Sequence, residues 1–252
     1  RVTLSGTTPS LTIGGQAYTV INKLDVLQSV KEGLSGRYAL GKDLDASATS
    51  GWNSGAGFLP IGRDGYPFTG NFDGLGHVVS NLYISSNLRM VGLFGYSQGL
   101  IKDIGLVGLN VTCTSDSYPL IGGLVGINDG GTITNAYSQG TVSATGSGGG
   151  EIGGLVGNNS GTITNSYSTA NVTATDATAG GLLGYNMGTV TNAYSTGNVT
   201  ISIGHAGGLA GQNASGLIKN AYSTGSVKSE STAYGSVGGL GICCRSGRQT
   251  TL

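Results

Sequence analysis

Gly122-Gly123-Leu124-Val125-Gly126, Gly153-Gly154-Leu155-Val156-Gly157, Gly180-Gly181-Leu182-Leu183-Gly184 and Gly207-Gly208-Leu209-Ala210-Gly211 are four copies of one short phrase. Val91-Gly92-Leu93-Phe94-Gly95 is an earlier copy and Gly238-Gly239-Leu240-Gly241 a partial later one. The leucines Leu93, Leu124, Leu155, Leu182, Leu209 and Leu240 are therefore 31, 31, 27, 27 and 31 residues apart. A fixed phrase at such a period is the mark of a repeat architecture, in which each unit buries its apolar face only by stacking on the next.

A second phrase follows each full copy: Thr132-Ile133-Thr134-Asn135-Ala136-Tyr137-Ser138, and its counterparts ending at Ser168, Ser195 and Ser223. A third apolar point follows at Val142, Val172, Val199 and Val227. The step from Tyr to Val is always 5, whereas the step from Val to the next Leu is 13, 10, 10 and 13. An invariant step belongs to residues held in register with the windings above and below, and a variable one to a loop. Each repeat thus holds about three short strands separated by Gly, Asn or Ser turns, with no helical periodicity after about residue 35. The expected fold is all-β: a right-handed parallel β-helix (solenoid), with successive windings about 4.8 Å apart. Ile133, Asn135 and Tyr137 share one strand parity. Asn135, Asn165, Asn192 and Asn220 are expected to form an amide ladder, and Tyr137, Tyr167, Tyr194 and Tyr222 an aromatic stack. The glycines would serve positive φ at corners and close contact between windings.

Composition agrees. The chain has 252 residues, 49 of them Gly and 4 Pro. Only 10% are charged, against roughly 25% in ordinary soluble domains, yet 38% are hydrophobic, which a disordered Gly-rich chain would not need. Twelve cations balance twelve acids, so there is no electrostatic footprint for nucleic acid or an anionic membrane. No apolar run reaches the roughly 18–20 residues of a membrane span, and Arg1-Val2-Thr3-Leu4 does not open a signal peptide. Cys113 stands alone, and Cys243-Cys244 lie near the end, so there is no disulfide framework.

Residues 1–90 lack the clean repeat and read as a capping region with the first irregular windings. Leu24 to Leu34 has helical apolar spacing and is expected to be a short amphipathic helix over the open end. Tyr38-Ala39-Leu40 and Phe68-Thr69-Gly70-Asn71-Phe72 read as strands, and Val78 to Ile84 as another winding. Residues 91–241 form the tandem repeats. Residues 242–252 abandon the pattern and read as a non-native or truncated tail.

The phrase Gly153-Gly154-Leu155-Val156-Gly157 followed by Gly161-Thr162-Ile163-Thr164-Asn165-Ser166-Tyr167-Ser168 resembles the GLUG repeat of bacterial surface proteins. Such repeats occur in filamentous-haemagglutinin-like exoproteins of two-partner secretion and beside the zinc IgA1-protease family. The stretch Tyr38 to Ala46 through Phe72-Asp73-Gly74-Leu75-Gly76-His77 looks like the segment preceding such repeats. The resemblance covers about residues 15–241 and implies a secreted or cell-surface location. It does not bring the protease's activity: His-Glu-x-x-His is absent, and the only histidines are His77 and His205.

Three functions are open to this chain. The leading one is a structural or adhesive segment whose partners are host-surface or extracellular polysaccharide or glycoprotein, with no catalytic residue and no metal. The second is a polysaccharide hydrolase or lyase using Asp43, Asp45, Asp73 and His77, since paired carboxylates suit glycoside hydrolysis and Ca²⁺ suits elimination. The competing reading places these acids at turns or in solvent and His77 at a strand start. The third is carbohydrate binding by Trp52, Tyr66 and Phe68 in the Gly-rich region 47–70, against the alternative that they plug the side of the solenoid. Asp129-Gly130-Gly131 resembles part of a Ca²⁺ loop but lacks the repeated Asp of that motif. Oligomeric state is left open.

Overall fold

Tyr137 pairs in register with Tyr167, Tyr167 with Tyr194 and Tyr194 with Tyr222, each on neighbouring parallel strands. The rings stack with centroids 4.9, 4.6 and 5.2 Å apart and planes within 6° of parallel. The computed structural model describes residues 2–4, 6, 9–230, 235–239 and 241–243 and is a β-solenoid with one short α-helix. Its strands fall into an 18-stranded and a 6-stranded sheet. Every named strand pair is parallel except the first, Leu11–Ile13 with Gln16–Ile21.

One winding shows the path. The chain runs along Thr162–Ser168, continues as Asn171–Gly180, turns at Gly181 and Leu182, and returns as Leu183–Asn186. The glycine-leucine phrase is thus a corner between the two sheets. Leu93, Leu124, Leu155, Leu182 and Leu209 point inward and are fully buried, as are Ile133, Ile163, Val190, Val142, Val172 and Val199. The variable step is explained by what lies between the strands. Where it is 13, from Val142 to Leu155, the strand ends at Ala144 and a loop intervenes before Glu151. Where it is 10, Asn171–Gly180 and Val199–Gly207 run through unbroken.

Two expectations need correction. Asn135 does not share the face of Ile133: it is exposed, and Asn135, Asn165, Asn192 and Asn220 all have φ of 49–53°. This left-handed residue bends the strand and resets the alternation, so that Ala136 rather than Asn135 points inward. An amide ladder of three forms outside, Asn192 Nδ2 donating to Asn165 Oδ1 and Asn220 Nδ2 to Asn192 Oδ1, both at 3.0 Å, while Asn135 Nδ2 donates to Asp103 Oδ1 at 2.8 Å. The corner glycines, in turn, do not take positive φ. Their role is close approach: a Cβ on Gly126, Gly157, Gly184 or Gly211 would lie 2.6–2.7 Å from the carbonyl oxygen of the equivalent glycine one winding earlier.

A second asparagine ladder runs inside. Asn128 donates to Asn159, Asn159 to Asn186 and Asn186 to Asn213, each at 2.8 Å, and the first three are fully buried. Each Nδ2 also faces a backbone carbonyl, of Gly131, Gly161, Gly188 and Gly216 in turn, so the buried donors are satisfied.

Helix α1 (Leu24–Ser29) continues into a 3₁₀ turn, Val30–Glu32, and buries Leu27 and Val30 against the core. It occupies the face that strands occupy in later windings. Gln28 takes over their main-chain pairing: its Nε2 donates to the Leu59 carbonyl (2.9 Å), and the Leu59 N–H donates to its Oε1 (2.8 Å). The Leu59 main-chain donor and acceptor are thereby satisfied by one side chain. Arg37–Leu40 is a strand, but the one expected from Phe68 starts only at Asn71, because Phe68 makes a lone bridge to Ser97. The final strand reaches Cys243, and residues 244–252 of the expected tail, like Leu240, lie outside the described residues.

Candidate functional site

The four acid–base candidates are spread over three separate arrangements. His77 is fully buried, with Nδ1 3.1 Å from Asp43 Oδ1 and Nε2 2.7 Å from the Val2 carbonyl oxygen. Asp43 also accepts from the Val78 N–H at 3.0 Å. A general base needs a nitrogen facing its substrate, and both of these face the protein. Asp45 is exposed and accepts from Asn81 and Ser47, which hold its carboxyl below the usual range. Asp73 is buried and pairs with Lys102 at 2.6 Å, while its Oδ1 accepts from the Leu75 N–H. That bond to Asp73 is the main cause that raises the Lys102 ammonium pKa. These geometries match turn ties and an internal ion pair.

The aromatic trio separates too. Phe68 is fully buried, its ring 5.0 Å from that of Phe94, because the 47–70 segment folds inward to fill the side of the solenoid. Trp52 is half-buried against the same core. Only Tyr66, 59% exposed, remains available to a ligand.

Tyr66 belongs to a tight turn, Arg63-Asp64-Gly65-Tyr66, closed by Arg63 N–H to Tyr66 O (3.0 Å) and Tyr66 N–H to Arg63 O (2.8 Å). Gly65 supplies the positive φ the turn requires. The Arg63 guanidinium sits 4.4 Å from the Tyr66 ring centre. A cavity of about 510 Å³ adjoins the turn, bounded by Lys31, Leu59, Pro60, Leu88 and Arg89 among others. A second, shallower one of about 400 Å³ reaches Tyr66, Pro67 and Thr69. Lys31, Glu32, Leu34 and Arg63 border both. Lys31, Arg63 and Arg89 escaped the sequence reading because they come from separate windings and share no local motif.

A second cluster surrounds Glu151, which is buried. Tyr118 Oη donates to one of its oxygens (3.2 Å) and Asn158 Nδ2 to the other (2.5 Å). Burial pushes the Glu151 carboxyl pKa up and the Tyr118 phenol to about 12. Tyr118 itself has φ of 49°, unusual for an aromatic residue. The cluster ties the loop before Leu120 to the corner of the next winding. Asp129 accepts from Tyr96, Gln98 and Ser160, and the Tyr96 bond leads in holding its carboxyl low. Among the described residues, no three His, Cys, Asp or Glu side chains converge as a metal would require, and no helix is long and apolar enough to cross a membrane.

Comparison with known proteins agrees with this geometry. The GLUG motif family matches residues 117–143, 148–173, 176–200 and 203–228, so the chain carries four GLUG motifs. Halomucin of Haloquadratum walsbyi (strain DSM 16790 / HBSQ001) is 39% identical over 148 residues, 54% of this chain but 2% of that protein. The chain thus spans a small fraction of its relative's length. A crystal structure from Bacteroides ovatus, described as a candidate immunoglobulin A1 protease, superposes with a TM-score of 0.64 at 21% identity. The match covers 92% of this chain and 85% of that one, and at this identity it speaks for the fold.

Proposed function

We propose that this tandem array of GLUG motifs is a stiff structural and adhesive segment of a secreted or cell-surface protein. The observation that carries the reading is the stacking of four repeats in register, with an asparagine ladder inside and asparagine and tyrosine ladders outside. Such continuity resists bending, since each winding is tied to the next by backbone pairing and side-chain bonds together. Three features support it: kinship with halomucin, the GLUG motifs, and the engagement of Asp43, Asp73 and His77 within the protein. Beads coated with the chain should stay attached under flow to glass bearing pectin, hyaluronan or mucin, where uncoated beads wash away. Equal wash-off from all three films would overturn the adhesive role.

A further inference from the structure

We infer that the Arg63–Tyr66 turn, with the two grooves that Arg63 borders, binds a polysaccharide whose sugars carry carboxylates. The inference rests on the adhesive reading and gives it a place and a ligand chemistry.

The turn is exposed at all four of its residues. Two main-chain hydrogen bonds close it. Gly62, just before it, lies so close to the Tyr96 carbonyl that a side chain there would collide with the neighbouring winding. The turn is therefore pinned at its base and borders both grooves.

What the turn presents is specific. A sugar ring has an apolar face of C–H groups, and a uronate adds a planar anion. Tyr66 and Leu88 are 59% and 49% exposed, and with Pro60 and Pro67 they offer apolar surface to the ring face. Arg63 offers the flat two-pronged donor that matches a carboxylate. Its stacking on Tyr66 fixes the guanidinium beforehand, so less rotamer freedom is lost on binding. Arg89 places a second cation along the same path. Lys31 and Glu32 pair with each other at 3.1 Å and cancel, which leaves Arg63 and Arg89 against Asp64 on the turn itself. The charge balance in the grooves is cationic, in a chain that is neutral as a whole.

The extent of the site selects a polymer. Each groove alone falls within the range of small-ligand pockets, about 300–1,000 Å³. Here two of them, about 510 and 400 Å³, share Lys31 and Arg63 as common borders. A run of linked sugars can lie past the turn with one carboxylate on Arg63 and the next toward Arg89, which lines the same cavity.

The test is calorimetric titration of the full chain with tetragalacturonate at low salt, with maltotetraose as the neutral counterpart. Tetragalacturonate should bind and maltotetraose far more weakly. Arg63→Gln should weaken binding by about tenfold or more, as loss of a charge-assisted bidentate contact implies. Tyr66→Ala should weaken it as well, and Tyr66→Phe should retain it. Both positions lie on an exposed turn, and unchanged melting curves will show that the fold is intact. Failure of the wild-type chain to bind tetragalacturonate, equal binding of the two sugars, or undiminished binding by Arg63→Gln would each overturn the assignment. Arg63→Gln beads that still adhere in the flow assay would refute this groove alone, whereas wild-type beads that fail to adhere would refute the adhesive reading.

Discussion

Asparagine occupies two contrasting positions in every repeat, and the contrast sets how each will respond to change. At Asn165 the backbone is left-handed, a conformation that costs most residues about 1–2 kcal/mol but glycine almost nothing. Asn165→Ala should therefore destabilise the chain more than Asn165→Gly, although both lose the bond with Asn192. Urea denaturation of the two variants compares them directly, and the opposite order would mean that the side-chain ladder outweighs the backbone. The outer asparagines were visible in the sequence as a recurring letter, but their face was not. Counting by twos from Ile133 assumes uninterrupted strand, and one left-handed residue undoes the count. The inner set, Asn128, Asn159, Asn186 and Asn213, recurs four residues after each corner leucine. That phase was the available signal, and it was masked by the variety of polar residues around it.

Corners and strands are joined at Glu151, where the strand Glu151–Gly153 and the strand Val156–Asn159 meet through the Asn158 bond. Burial raises the folded-state carboxyl pKa above its unfolded value, so the folded chain holds this proton more tightly than the unfolded chain. The stabilisation is complete below the unfolded pKa and is lost as pH rises through the raised folded one. Tyr118, with its phenol near 12, remains a donor throughout. Across roughly pH 4 to 8 the wild-type urea midpoint should fall relative to that of Glu151→Gln, which has no proton to lose there. Parallel curves for the two proteins would contradict this. At the same scale, helix α1 could be read from Leu24, Leu27 and Val30, whose spacing is helical whatever they pack against. The bond from Gln28 to Leu59 could not, because it depends on a winding 31 residues away.

Register governs the molecule as a whole. Removing residues 168–194 takes out one full period and joins Tyr167 to Ser195, restoring the five-residue step to Val199. The shortened chain should fold, remain soluble and be shorter by one winding, about 4.8 Å, in solution scattering. Removing 168–193 instead slips the register by one and turns inward faces outward, so that variant should aggregate or unfold. Folding of both, or of neither, would refute the stacking described above. The same geometry explains why the solenoid was legible and the candidate groove was not. Tandem stacking converts sequence period into spatial neighbourhood wherever the period is constant. In the irregular first windings it is not, so Tyr66 stood out by residue type while Arg63, Lys31 and Arg89 had no common spacing to reveal them.

Among the described residues, the ion pairs between lysine and carboxylate all lie at or before Asp103: Lys31 with Glu32, and Lys102 with Asp73 and Asp103. From there to residue 230, the windings are tied by amides, hydroxyls, stacked rings, main-chain pairing and hydrogen bonds from neutral donors to carboxylates such as Asp129, and these ties depend less on mobile ions than exposed pairs of opposite charges do. The repeat array is therefore built to keep the same shape in fresh water and in brine.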